Sequence, residues 1–259
     1  MSFFLSGLPV WAAAILLVIA PTIAAMCGPI LMRRRVGLDR LTSNNEIAGF
    51  KFATVGVIYG VLMGFAVIVV WEKFSEAEIA VVQEAGASET IYRLAAGAEP
   101  EAVTTRAALD NYLRLAIDRD WPSMEKGKAS REATQALNAL YANAIHLMDN
   151  TPRPPEIFEE ILKQLDTITQ ARRTRIHLST GIVPELLWMA LYGGAILTVG
   201  FTFFFGTKNL PAQVMMTAIL SVIVFMGLLL IVSFDHPFTG PVQVGSRPLQ
   251  HVLEDFGHR

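Results

Sequence analysis

Four uncharged apolar stretches dominate the hydrophobic pattern of the chain. They cover residues 10–31, 52–71, 186–205 and 212–234, and none contains a charged side chain. A helix rises about 1.5 Å per residue, so roughly 20 apolar residues cross a hydrocarbon core of about 30 Å. The pattern therefore predicts an all-α membrane protein with four transmembrane helices.

The second span has two contrasting faces. Glycines recur at every fourth residue along one face, and small residues at this spacing let helix backbones approach closely in lipid. Larger apolar side chains occupy the other face, which either meets lipid or lines a hydrophobic constriction that gates by dewetting. The predicted packing face consists of Gly56, Gly60 and Gly64, and the opposite face consists of Ile58, Leu62, Phe65 and Val69.

A charge-rich insert separates the second and third spans. No Gly or Pro lies between Trp71 and Glu84, so the second span is expected to continue into the insert as one helix. Proline and acidic residues then start a second helix, which we expect Trp121-Pro122 to break. Apolar side chains at helical spacing predict two more helices and hence a small antiparallel bundle. The predicted domains are 1–71 (spans one and two), 72–185 (the insert, with helices to about 96 and over about 99–120, 130–148 and 156–178), 186–234 (spans three and four) and a tail, 235–259.

Composition supports a membrane protein and excludes other classes. Hydrophobic residues make up 53% of the chain and charged residues 17%, against about 25% charged in typical soluble domains. The net charge of −2 gives no basic field for nucleic acid. The expected partners are therefore the lipid bilayer, further copies of the chain, and possible permeant ions.

Loop charges predict the orientation in a cell (inner) membrane. Arg33, Arg34, Arg35, Arg40 and Lys51 lie in the short loop between the first two spans. Short loops rich in Lys and Arg stay in the cytoplasm. The charges therefore predict that this loop is cytoplasmic and that both termini and the insert are extracytoplasmic.

The sequence contains no recognisable catalytic constellation. P-loop, GxGxxG, GxSxG and HExxH patterns are all missing, which predicts a protein that is not an enzyme and binds no cofactor or metal. The pair Asp235-His236 either serves a metal or proton role or caps a helix end, and we prefer the cap. No ionisable residue lies within a span, whereas proton-coupled transporters usually carry one there.

Charged residues of the insert form a second group of candidates. Acidic residues follow the second span and could attract ions to a pore mouth, although such a run is usually a solvated face. An arginine run precedes the third span and could bind lipid head groups or pair with those glutamates. This predicted ion-attracting or partner surface comprises Glu76, Glu84, Glu89, Arg93, Arg172, Arg173 and Arg175.

Several strings are more specific than the apolar pattern. They include Glu46-Ile-Ala-Gly-Phe50, Trp71-x-x-Phe74 and Arg172-Arg-x-Arg175. The tail string is the most distinctive, with Asp235, Pro237, Phe238 and Gly240 in the pattern Asp-x-Pro-Phe-x-Gly. Together these strings resemble the bestrophin-like family, which is likened to the bestrophin anion channels.

This resemblance implies an oligomeric anion channel with four spans and a helical insert between the second and third. It also implies a pore lined by the second span, with Ile58, Leu62 and Phe65 at a hydrophobic neck. In bestrophins the insert and both termini are cytoplasmic, whereas the loop charges here predict the opposite side. The leading hypothesis is a homo-oligomeric ion channel, and the alternative is a non-conducting membrane scaffold or sensor whose insert binds a partner or ligand.

Overall fold

The computed structural model describes residues 5–43, 45–96, 99–150 and 153–257. These residues form helices and connecting turns, with no strand among them, which confirms the predicted all-α class. The main helices are α1 (Val10–Val36), α2 (Leu38–Ser43), α3 (Asn45–Leu94), α4 (Pro100–Leu115), α5 (Arg131–Asn150), α6 (Pro155–Leu178), α7 (Glu185–Phe204), α8 (Leu210–Phe234) and α9 (Arg247–Gly257). Four of them, α1, α3, α7 and α8, are long and apolar enough to cross a membrane.

Helix α1 contains a widened turn ahead of its first proline. Residues Ile15–Ile19 are π-helical, and the α-helical path resumes at Ala20. Pro21 has no N–H to donate and its ring crowds the carbonyl four residues earlier, so a local change of helical pitch accommodates it. Pro29 lies farther along the same α-helical segment.

Residues Met1–Glu72 and Ile182–Asp235 form one compact unit. It holds α1, α2, the membrane part of α3, α7 and α8 around a shared apolar core. The most deeply buried core side chains include Val70, Leu191, Ala195, Leu228 and Ile231.

Residues Lys73–Gly181 and His236–Arg259 form the second unit. Helices α4, α5 and α6 bury apolar stripes in its core, including Leu109, Leu140 and Leu165. The C-terminal tail belongs to this unit, because α9 packs on α4 and the Phe256 ring stacks on Tyr92 with centroids 3.7 Å apart. The sequence predicted no helix in the tail.

Helix α3 is a single helix of 50 residues, so the second span does continue into the insert. At about 1.5 Å per residue it is roughly 75 Å long. The Arg153 guanidinium closes its C-terminal end by donating to the carbonyls of Leu94 (2.7 Å) and Ala96 (2.9 Å). These carbonyls have no partner within the helix, so this side chain satisfies acceptors that the helix leaves open.

The predicted break at Trp121-Pro122 is wrong. The chain passes from α4 through a π-helical turn, Ala116–Asp120, into a short helix at Trp121–Met124. A proline at the start of a helix needs no N–H donor, so Pro122 is compatible with this path. The chain turns away only near Gly127, which has a positive φ of 65°.

Candidate functional site

One side of α3 packs tightly against the other membrane helices. The Tyr59 hydroxyl donates to the Leu191 carbonyl at 3.0 Å, and its ring covers Gly194 so closely that a Cβ there would overlap it. Met63 covers Gly227 in the same way. Helix α3 therefore approaches α7 and α8 closely at glycines of those two helices.

The predicted packing glycines of α3 have a different environment. Cβ atoms built on Gly56, Gly60 and Gly64 would meet no atom within 4 Å in the described part of the chain. The stripe therefore makes no close helix contact within one copy. A packing role for these glycines requires a surface from outside the chain.

Three of the four predicted pore-lining residues lie on the uncovered flank of α3. Ile58 and Phe65 are each 65% exposed and Val69 is 44% exposed, while Leu62 is partly buried against the core. All four are apolar, and no charged residue lies between Phe52 and Trp71. This surface can meet lipid or the same helix of another copy.

The insert contains a buried ion pair between α3 and α6. The Arg175 guanidinium donates to both Glu84 oxygens, from Nε at 2.6 Å and from Nη2 at 2.9 Å, and both side chains are fully buried. The Tyr112 hydroxyl donates to the same carboxylate at 2.5 Å. Arg175 also lies over the Trp121 ring, 4.6 Å from its centroid. Three helices of the insert therefore meet at one satisfied carboxylate.

A second ion pair adjoins the first. Arg172 donates to both oxygens of the buried Asp120 carboxylate, at 2.7 and 3.1 Å, and to the Ser130 carbonyl at 3.2 Å. Asp120 also accepts the Ser130 N–H at 2.8 Å and lies 3.6 Å from Arg175. Two carboxylates and two guanidinium groups thus neutralise one another. This network joins elements of the insert and leaves no net charge to attract a mobile ion.

Burial and the Glu84 carboxylate shift the pKa values of Tyr112 and Arg175. Burial raises the pKa of Tyr112 well above its usual value, and the adjacent Glu84 carboxylate raises it further. Burial lowers the pKa of Arg175, but the Glu84 carboxylate outweighs this and the pKa is raised. The tyrosine therefore remains a donor and the arginine a cation over the accessible pH range.

We expect a loss of stability above pH 10 that depends on Tyr112. Its pKa is raised in the folded chain, so its contribution is complete below the unfolded pKa of roughly 10 and decreases as the pH rises toward the folded value. Melting of the detergent-solubilised protein between pH 8 and 11 should show the excess stability of the wild type over Tyr112→Phe shrinking with pH. Tyr141→Phe, which removes a hydroxyl 2.9 Å from Thr169, is the control. A difference between wild type and Tyr112→Phe that stays constant with pH would contradict this account.

The tail string folds as a turn after α8. Asp235 Oδ1 accepts the N–H groups of Ile182 (3.1 Å) and Val183 (2.8 Å), which lie in the turn before α7 rather than at a helix end. The fully buried Phe238 ring meets Trp121 edge to face, with centroids 6.0 Å apart.

Two further residues of the string fix the backbone. The Pro237 carbonyl accepts the Val244 N–H at 2.7 Å, and Gly240 adopts a positive φ of 85° that favours glycine. The distinctive string thus has structural roles in ending α8 and anchoring the tail.

The Bestrophin-like domain family matches residues 19–249, which covers α1 from residue 19, the other three spans, the insert and this turn. The chain belongs to the Bestrophin-like family. The family assignment and the four apolar helices identify it as a membrane protein. No curated protein matches this bestrophin-like chain.

Solved structures of a bacterial bestrophin homologue from Klebsiella pneumoniae share the fold. Two single-substitution variants have TM-scores of 0.74 and 0.75, each with 14% identity over 93% of this chain and 99% of theirs. The same homologue, solved by zinc phasing, has a TM-score of 0.73 with 14% identity over 93% and 98%. At this identity the likeness establishes the fold alone.

The structure of this bestrophin-like chain contradicts part of the predicted ion-attracting or partner surface. Glu84, Arg172 and Arg175 are buried and paired, so they form no ion-attracting surface. Their apolar neighbours on the same helix faces explain this, because a charge on a core-facing stripe is buried when the helix packs.

The remaining members of that set are outside the core. Glu76 pairs with Lys73 at 2.6 Å, and Glu89 pairs with Arg93 one turn along the helix. Arg173 is exposed. Across the described ranges, no group of three or more His, Cys, Asp and Glu side chains is arranged to hold a metal.

Proposed function

We propose that this protein is a homo-oligomeric ion channel of the anion type, with α3 lining a central pore. The observation that carries the proposal is the exposed, charge-free apolar flank of α3 at Ile58, Phe65 and Val69. Membership of the Bestrophin-like family supports a membrane channel at the coarse level. The anion preference follows the family's likeness to bestrophins.

The packing of α3 supports an oligomer. Only 17% of the apolar membrane-crossing stretch of α3 is buried within the chain, against 28% of the corresponding stretches of α7 and α8. The side of α3 opposite the pore flank carries Gly56, Gly60 and Gly64, with open space above each. A neighbouring copy can approach closely at small residues, so the helix is suited to contact between copies.

A hydrophobic constriction provides a simple mechanism of conduction control. Apolar side chains that face one another around an axis exclude water when they are close and admit hydrated ions when they separate. One flank of α3 carries Ile58, Leu62 and Phe65, and Val69 extends this flank by one turn. Substituting polar groups for the exposed members should therefore lower the barrier to ions.

The test is anion flux from liposomes reconstituted with purified protein. We expect Ile58→Ser with Phe65→Ser to raise chloride flux on the order of tenfold, since lowering a barrier by about 1.4 kcal/mol changes a rate tenfold. The matched control is Val57→Ser with Ile68→Ser, which are 66% and 53% exposed but lie elsewhere around the helix. Equal effects of the two pairs would contradict a pore on the Ile58 flank.

If neither the wild type nor the variants conduct any of several ions at any calcium level tested, this result would count against a channel altogether. The scaffold or sensor would then be the better account.

We also propose that residues 32–51 face the cytoplasm, with the insert outside. The arginines of this loop support the proposal through the positive-inside rule. The exposed Lys126 of the insert, changed to Cys in a Cys27→Ser background, should react with an impermeant maleimide added to intact cells. Reaction only after lysis would place the insert in the cytoplasm and contradict the proposed orientation.

A further inference from the structure

We propose that the basic face at the end of α1 binds the headgroup of an anionic phospholipid. Its exposed cations come from the end of α1, the start of α3 and the turn before α8. They are Arg34, Arg35, Lys51 and Lys208. This proposal is independent of whether the protein conducts ions.

Hydrogen bonds hold the contributing segments together. Arg33 donates from Nη1 to the Thr207 carbonyl at 3.3 Å, which ties the end of α1 to the turn before α8. The Asn45 amide donates to the Gly206 carbonyl at 2.6 Å and accepts its N–H at 2.9 Å. A side chain on Gly206 would collide with Leu41, so the turn lies directly against α2. The fold thereby brings the turn that carries Lys208 next to the end of α1.

The charge on this face is strongly unbalanced. Residues 32–51 and 205–211 contain six basic side chains and two acidic ones, Asp39 and Glu46. Within the described ranges, Arg34, Arg35, Lys51 and Lys208 form no ion pair. Such a cluster directly beside a span attracts anionic lipid, and a guanidinium can bind a phosphate with two parallel hydrogen bonds.

The adjoining surface of α1 favours a lipid over a soluble phosphate. Ile23 and Leu31 are 58% and 55% exposed, and Cys27 between them is also exposed. Eleven residues, about three helical turns, separate Ile23 from Arg34, so both lie on nearly the same side of α1. An acyl chain lying along this stripe therefore places its headgroup at the arginines.

Phosphatidylglycerol and phosphatidylcholine with identical acyl chains distinguish charge recognition from general lipid contact. We would titrate each into delipidated, detergent-solubilised protein and count the bound lipids by native mass spectrometry. Arg34→Gln with Arg35→Gln should weaken phosphatidylglycerol binding on the order of tenfold, because each juxtamembrane cation contributes substantially to anionic lipid affinity. Phosphatidylcholine binding should be unchanged.

The control pair is Lys126→Gln with Lys128→Gln, which removes two exposed cations from the insert. The proposal is overturned if this pair weakens phosphatidylglycerol binding equally, or if the arginine pair leaves it unchanged. It is also overturned if glycerol phosphate displaces the lipid completely, since the site would then recognise a soluble phosphate. Should the glutamine pair fail to fold, the salt dependence of wild-type binding provides the test, because electrostatic binding to an anionic lipid weakens as salt rises. Salt-insensitive phosphatidylglycerol binding would overturn the proposal.

Discussion

Replacing Arg175 with Met is expected to lower the free energy of unfolding by about 3–5 kcal/mol, because it strands a buried carboxylate without its counter-charge. Arg175 and Glu84 are both fully buried, and the guanidinium donates to both carboxylate oxygens. The Tyr112 hydroxyl alone cannot neutralise Glu84. Chemical denaturation of the solubilised protein, monitored by the fluorescence of Trp121 and the other tryptophans, measures the loss in the free energy of unfolding.

Two further variants separate pairing from packing. Glu84→Gln combined with Arg175→Met removes both charges, so the double variant should be more stable than Arg175→Met alone. The exposed pair Lys73 and Glu76, whose side chains are 46% and 47% exposed, provides the surface control. Lys73→Met should cost less than about 1 kcal/mol. Equal losses for Lys73→Met and Arg175→Met would contradict a structural role for the buried network.

The second large effect is expected at Gly194 in α7. A Cβ at this position would overlap the Tyr59 ring, whose hydroxyl is held by the Leu191 carbonyl. Gly194→Ala should therefore destabilise the membrane unit by about 1–3 kcal/mol, the usual cost of overpacking a well-filled core. The thermal melting temperature of the solubilised protein is the measurement.

The neighbouring glycine gives a matched control. A Cβ on Gly193 meets nothing within 4 Å in the described residues, so Gly193→Ala should be neutral or slightly stabilising within a helix. Tyr59→Ala should also make Gly194→Ala less costly, because the two positions share one contact. If both alanines destabilise equally, intrinsic helix effects outweigh the contact with Tyr59.

The spans were predictable because membrane crossing imposes length and apolarity on a contiguous segment. All four predicted apolar stretches lie in helices of sufficient length, and the second span continues into the insert. The glycine contacts were not predictable in the same way. Gly194 and Gly227 lie against single large side chains of α3, and no repeat in the sequence marks such a contact.

The buried ion pairs had a detectable signal in the sequence. Ile161, Leu165 and Ile168 form an apolar stripe on α6, and Arg172 and Arg175 continue it at the same spacing. A charge at the continuation of a core stripe indicates a buried pair. The acidic partner Asp120 carries no such marker, because it ends the π-helical turn Ala116–Asp120, which shifts the helical phase.

The tail shows where sequence periodicity gives too little information. Its helix α9 has only 11 residues, and its two buried apolar side chains are Leu249 and Val252. Isolated helices this short are marginal in water, so their formation depends on docking. The contact between Phe238 and Trp121 joins positions far apart in the chain, which one sequence does not reveal.

The central proposal is that several copies of α3 surround a shared axis. The mass of the detergent-solubilised particle, determined by native mass spectrometry, tests it most directly. The account predicts a discrete homo-oligomer of the 28.4 kDa chain, a tetramer or pentamer, with room for an axial pore. A particle with the mass of one chain would contradict the central pore.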